Sequence, residues 1–260
     1  MLLRNLSKTK HVPIGMMRLF GLSEIKEIKS LQEKKTRREK KKFVIEGEKI
    51  VREAIEWKSD CIEVIYHIAS YSVPTHLKIN CVIITEKELE SISSLKTPNK
   101  VLAVCTIQIQ NPIESTFCIA LDDIQDPGNL GTIIRLADWF GIKQILCSET
   151  TVDCYNPKVI QATMGGVFRT NICYLDLVSY LNNTSKPILG GLLIGENAFT
   201  FEYPKEGIIL LGNEGSGISE ELKKVITHSI TIPKFGDAES LNVASAASIM
   251  LGSLFQYHSK

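Results

Sequence analysis

The chain has 260 residues, 44% hydrophobic and 23% charged, with a formal net charge of +1. This composition excludes a disordered or collagen-like chain and suits one large or two modest folded domains. No run approaches ~18 apolar residues, which argues against a membrane-spanning helix. Seven cysteines with no CxxC pair read as small buried hydrophobes in a reducing compartment. The five histidines lack metal-ligand spacing, so no metal is expected.

The opening MLLRNLSKTKHVPIGMMRLFGLS has positive charge but no compact apolar region and no small-residue cleavage site. It reads as an N-terminal extension over 1–20, and the cytoplasm is the expected compartment. Between Lys26 and Lys42 there are nine Lys or Arg and three Glu, a local excess of +6. Ile25, Ile28 and Leu31 recur at helical spacing, which predicts an amphipathic helix with a cationic end. KKFVIEG then predicts a strand, and EGEKIVREAIEW a helix with Ile50, Ala54, Ile55 and Trp57 on its apolar side. IEVIYHI, CVIIT and VLAVCTI read as strands, with the helix EKELESISSL before the last. Residues 21–107 thus form a small α/β domain, and QIQNPIEST, over 108–116, a linker.

From 117 to 260 strand and helix alternate again. FCIALDDI, KQILCSE, NICYLD, PILGGLLIG, GIILLG and HSITIP read as strands. Helices are predicted over 130–140, 157–165, 176–181, 219–226 and 243–257. The strands are apolar throughout rather than alternating, which predicts a parallel sheet buried on both faces. The fold class is therefore α/β, with a parallel C-terminal sheet after a smaller α/β domain.

Ligands of such sheets sit beyond the carboxyl ends of strands, and three strand ends here are unusual. In LDDIQDPGNLGTIIRLADWFG, Asn129 is placed to cap a helix that buries Leu130, Ile133, Ile134, Ala137 and Phe140. Arg135 points about opposite that face. Spacing alone leaves Arg135 between a solvated arginine and a functional one, and Asn129 between a cap and a ligand. In LLGNEGSGIS the last glycine is followed by Ile218-Ser219, not the Lys-Ser or Lys-Thr of a phosphate loop. The order G-x-x-G-x-G is also not the dinucleotide fingerprint, which leaves a nicotinamide-dependent oxidoreductase remote. Its glycines require a sharp bend or a close approach, and Glu214 among them repels phosphate. In ITIPKFGDAESLNVASAASIMLGSLF a loop leads to a helix that Ser240 or Asn242 can cap.

Taken together and in this order, DPGNLGTIIRLADWFG, LLGNEGSGIS and IPKFGDAESLNVASAASIML resemble the three motifs of the SpoU/TrmH family of RNA ribose 2′-O-methyltransferases, in the SPOUT superfamily. The likeness covers about 117–257. KVIQATMGGVFRTNI resembles a further family segment, with Thr163-Met164-Gly165-Gly166 where Ser-x-Gly-Ala is usual; Lys234-Phe235 is another departure. Residues 21–107 resemble an L30e-like substrate-binding domain.

The resemblance implies a trefoil-knotted sheet that binds S-adenosylmethionine through Gly212, Ile232 and Leu241, with Leu211, Pro233 and Asn242 beside them. Gly191 or Gly195 would shape the pocket floor. It places Asn129, Arg135, Glu214, Ser240 and Asn242 at a catalytic site on the interface of a homodimer. Structured RNA is the implied substrate, 23S ribosomal RNA first and transfer RNA as the alternative. A non-catalytic RNA-binding protein keeping the fold is the further alternative. The basic segment, with Lys34, Lys35, Arg37 and Arg38, is the expected RNA phosphate contact.

Overall fold

The computed structural model describes residues 20–74 and 78–259, so all of the extension expected over 1–20 except Phe20 lies outside the described residues. The first part contains α1 (Leu22–Ser30), α2 (Lys34–Lys40), β1 (Lys42–Glu46), α3 (Glu48–Lys58), β2 (Ile62–His67), β3 (Asn80–Ile83), α4 (Glu86–Ile92) and β4 (Val101–Thr106). Its strands form a sheet in the order β1-β4-β2-β3, with β2 and β3 parallel and the other pairs antiparallel. Thr85 caps α4: its hydroxyl accepts from Glu88 N at 3.2 Å, while the Glu88 carboxylate accepts from Thr85 N at 2.7 Å.

The basic stretch is not the single helix that its apolar spacing predicts. It breaks at residues 31–33 into α1 and α2. Leu31 is buried at the break, and the Arg37 guanidinium turns back to donate to Leu31 O at 2.9 Å and Gln32 O at 2.7 Å. A helix end leaves carbonyls without partners; here an arginine one turn into the next helix satisfies two of them.

The second part contains β5 (Phe117–Leu121), α5 (Pro127–Trp139), β6 (Gln144–Ser148), α6 (Pro157–Thr163), β7 (Asn171–Leu175), α7 (Leu177–Asn182), β8 (Ile188–Asn197), β9 (Gly207–Leu211), α8 (Glu220–Lys223), β10 (His228–Thr231) and α9 (Val243–His258). The six strands run in the order β10-β8-β9-β5-β6-β7, every pair parallel. Helices α5 and α9 cover one face of the sheet, α7 and α8 the other. The chain leaves β5 for β6 and β7 on one side, then crosses to β8, β9 and β10 on the other. At the reversal the loops that follow β5 and β9 start side by side, since the last residues of the two strands, Leu121 and Leu211, are paired.

The two sheets share one apolar cluster, which runs from Phe43, Val51 and Ala103 to Ile119, Leu130 and Ile160. Phe43 packs on Tyr155 with ring centroids 4.4 Å apart. Between β4 and β5 the chain is tied down at the β6–β7 edge, where Ile113 N donates to the Gln144 side chain at 2.9 Å. All seven cysteines are free and six are buried; burial pushes the Cys118 thiol up to about 12, which keeps it a neutral thiol.

Candidate active site

The candidate site is built from three loops, joined by side-chain hydrogen bonds. In the first, Asp126 rather than Asn129 caps α5, its carboxylate accepting from Asn129 N at 2.8 Å. Pro127 takes the first helical position, where its fixed φ suits the turn and its missing donor costs nothing. Asn129 therefore lies within the first turn, and its amide side chain is free for other partners.

Those partners are the other two loops. Asn242 caps α9, its Oδ1 accepting from Ala244 N at 2.9 Å and Ser245 N at 3.3 Å. Its Nδ2 must therefore donate, and it does so to Asn129 Oδ1 at 2.9 Å. Asn129 Nδ2 in turn donates to Glu214 Oε1 at 2.9 Å. The Glu214 carboxylate also accepts from Gln125 N at 3.3 Å and Asp126 N at 3.2 Å. The direction of every bond in this chain follows from the helix amides at one end and a carboxylate at the other. Partial burial works against ionisation of Glu214. Donation by Asn129 and by main-chain amides outweighs it, so the carboxyl lies below its ordinary range.

The glycine loop closes on itself. A Cβ on Gly212 would meet the carbonyl carbon of Gly217 and the amide of Ile218, each at 2.2 Å. Asn213 and Gly217 exchange main-chain hydrogen bonds of 3.0 Å, and Gly217 has a φ of +71°. Asn213 Oδ1 accepts from Gly215 N at 2.8 Å and Ser216 N at 3.1 Å, while its Nδ2 donates to Asp123 O at 2.8 Å. Sequence reasoning passed over Asn213 and Asp126. The signal for Asp126 was present, as an acidic residue directly before a Pro-Gly helix start.

Arg135 and Ser240 are exposed, and no hydrogen bond or ion pair among the described residues joins either to the Glu214–Asn129–Asn242 chain. On α5, Arg135 shares its face with Thr132 and Trp139, both exposed. Among the expected ligand residues, Gly212, Ile232 and Leu241 have no main-chain hydrogen bond to the rest of the described chain. They lie in the segments directly after β9, after β10 and before α9, and the Leu241 side chain is half exposed. The donor set fits a nucleoside read by main chain with an apolar flank. Pro233 is half-buried beside Ile232, while the Leu211 side chain is packed into the core.

The two glycines expected at the pocket floor both lie where a side chain would collide with neighbouring elements. A Cβ on Gly191 would press on Met250 Sδ at 3.0 Å and Leu211 Cδ2 at 3.2 Å; one on Gly195 would strike Ser229 O at 2.3 Å, across the β8–β10 pairing. Thr163 is buried, its hydroxyl donating to Ile160 O at 2.9 Å and accepting from Gly165 N at 3.3 Å, a structural post at the end of α6.

In the basic segment, Lys34, Lys35 and Arg38 are exposed. Arg37 is not placed to meet phosphate. It is 2% exposed, and its Nε and Nη2 donate to Asp153 at 2.8 and 2.6 Å. Charge count alone cannot separate a cation spent on a helix end and a carboxylate from its solvated neighbours. Among the described residues no three His, Cys, Asp or Glu side chains are grouped to hold a metal, and no helix is long and apolar enough to cross a membrane.

Residues 116–252 match the SpoU rRNA methylase family and residues 23–103 the MRM3-like substrate binding domain. The chain is 30% identical over 234 residues to the 23S rRNA (guanosine(2553)-2′-O)-methyltransferase of Bacillus subtilis, covering 88% of this chain and 94% of that one. A solved structure of a TrmH-family protein from Porphyromonas gingivalis superposes with a TM-score of 0.83 at 33% identity, covering 91% of this chain and 98% of that one. An S-adenosylmethionine-bound rRNA methyltransferase from Sinorhizobium meliloti superposes with a TM-score of 0.80 at 29% identity, over 91% and 96%.

Proposed function

The chain belongs to the SpoU rRNA methylase family, and from that membership we propose that it methylates a ribose 2′-oxygen in structured RNA, 23S ribosomal RNA first. The observation that carries this reading is the bond chain from Glu214 through Asn129 to Asn242, which joins three loops at the strand-order reversal. On the same helix as Asn129, Arg135 is an exposed cation with no partner among the described residues.

S-adenosylmethionine, when bound, supplies an electrophilic methyl group on sulfonium sulfur. Gly212, Ile232 and Leu241 hold it through main-chain groups, with Leu211, Pro233 and Asn242 beside them. A ribose hydroxyl is a very weak acid, so the site must align it and disperse the charge that grows on its oxygen. Arg135 does this as a cation. A guanidinium keeps its proton in proteins, and its planar fork suits a phosphate oxygen and a developing alkoxide together. The Glu214–Asn129–Asn242 chain holds the loops at fixed spacing, and Ser240 stands exposed at the rim to meet the RNA.

Residues 21–107 serve as the substrate domain, 108–116 as its linker and 117–260 as the methyltransferase domain. Lys34, Lys35 and Arg38 contact phosphates of the RNA. The working form is a homodimer, which gives the exposed Arg135 face a neighbouring subunit, and its compartment is the cytoplasm. The test is to incubate the purified protein with methyl-labelled S-adenosylmethionine and with unmodified 23S rRNA, 16S rRNA or tRNA in parallel. Transfer to 23S rRNA is expected. Transfer to tRNA alone moves the substrate assignment, and no transfer to any RNA overturns the enzyme reading.

A further inference from the structure

Two arginines bridge the two halves of the molecule, and they are built differently. Arg37 reaches Asp153 but also serves main-chain carbonyls at the α1–α2 break, so it belongs to the local fold. The Arg169 guanidinium bonds only to side chains, and those side chains come from both halves. Its Nε and Nη2 donate to the two oxygens of Asp138, on α5, at 2.9 and 2.8 Å. Its Nη1 donates to Glu53, on α3. The guanidinium carbon lies 5.6 Å from the ring centre of Trp57, one turn beyond Glu53 on α3.

The chain before Arg169 is shaped for this contact. Gly165 has a φ of +98°, and a Cβ there would strike Glu53 Cγ at 2.7 Å. A Cβ on Gly166 would touch Asp138 Cβ at 3.4 Å and lie 3.6 Å from Arg135 Cα. The segment 165–169 is thus wedged between α3 of the substrate domain and the stretch of α5 that carries Arg135. Asp138 sits three residues after Arg135, on a neighbouring position of the same helix surface. Without Arg169 the two carboxylates would face each other unneutralised, and like charges would drive α3 and α5 apart. The favourable contacts of the guanidinium with Asp138, then Glu53, hold it firmly cationic against the cost of partial burial.

We propose that Arg169 is a positioning residue that latches the substrate domain to the end of α5, so that RNA held by the N-terminal domain meets Arg135 in fixed register. The proposal rests on the methyltransferase reading above. The three bonds of the latch all run to protein side chains and only 18% of the Arg169 side chain is exposed, so the proposal assigns it to positioning and not to phosphate contact. A lysine cannot replace it, because one ammonium cannot reproduce the fork on Asp138 while also reaching Glu53.

The experiment compares wild type, Arg169→Met, Arg169→Lys, Glu53→Gln and the double variant Arg169→Met/Glu53→Gln. It measures kcat and KM for RNA, RNA affinity, S-adenosylmethionine affinity and amide hydrogen exchange over residues 136–140. Arg169→Met is expected to lower kcat by ~10-fold or more, since small misplacements of reacting groups are costly. RNA and S-adenosylmethionine affinities should stay within about twofold, because the latch touches neither ligand site. Arg169→Lys should not restore kcat, Glu53→Gln should lower it, and the double variant should lose no more than Arg169→Met alone. Exchange over 136–140 should speed up in every latch variant. An unchanged kcat in Arg169→Met, or losses that multiply in the double variant, overturns the latch. If the wild type transfers no methyl group, the functional reading fails. Exchange then decides alone, and unchanged protection of 136–140 in Arg169→Met overturns the latch.

Discussion

Asn129 is the residue on which the site turns, because its two amide atoms face opposite demands. Its oxygen must accept from Asn242 and its nitrogen must donate to Glu214. Asn129→Asp has almost the same shape but sets a second carboxylate against Glu214. One of the two must then take up a proton, and the bond is restored only when it does. At neutral pH the variant is expected to lose ~10-fold or more in kcat, as for other lost site hydrogen bonds. Its remaining activity should peak at lower pH than that of the wild type, and a pH profile of kcat reads this out. For the wild type the sign is opposite. The folded-state Glu214 carboxyl lies below its ordinary range, so its bonds stabilise the loops fully at neutral pH. They are lost only as pH falls through that lowered value. In the proposed mechanism Arg135 carries the charge of the reaction, so Arg135→Ala should cut kcat by ~10²–10³-fold while leaving S-adenosylmethionine affinity unchanged. Calorimetric titration beside single-turnover rates separates the two.

At the scale of elements, the glycine loop is rigid for an internal reason. Gly212 lies against the main chain of Gly217 and Ile218, so any side chain there displaces backbone rather than a movable group. Gly212→Ala should cost ~1–3 kcal/mol of stability, the usual penalty of overpacking. Gly236, in the next loop, has open space around it, and Gly236→Ala should stay within ~0.5 kcal/mol. Urea unfolding midpoints compare the two. The elements themselves were legible, since continuous apolar strands and capped helices carry their own signal. Three things were not. The α1–α2 break depends on Arg37 folding back on Leu31 and Gln32, an arrangement that no periodicity encodes. The cap of α5 fell on Asp126 because Pro127 fixes where the helix starts. The tight packing at Gly191 and Gly195 depends on Met250 and Ser229, distant in sequence and adjacent only in the fold.

The molecule as a whole joins a cationic first domain to the loop cluster of the second through a shared apolar cluster and two arginine bridges. Charge reversal at Lys34, Lys35 and Arg38 should therefore leave unfolding unchanged and weaken RNA binding. The salt slope of that binding should flatten by ~0.7–0.9 for each phosphate that the protein no longer neutralises. Arg37→Glu should act differently, because it buries a charge beside Asp153. A destabilisation of ~3–5 kcal/mol is expected for a broken buried pair, seen as a lowered unfolding midpoint. Light scattering addresses the dimer: two chains per particle are expected, and a fully active monomer would refute the shared interface.

The most direct measurement of the central claim is where on the nucleotide the methyl group lands. After reaction with methyl-labelled S-adenosylmethionine, the RNA is hydrolysed in alkali, which needs a free 2′-hydroxyl to cleave the adjoining phosphodiester. Label recovered in an alkali-resistant dinucleotide, absent with Arg135→Ala, is the expected result. Label recovered in single nucleotides would place the methyl group on a base and contradict ribose 2′-O-methylation.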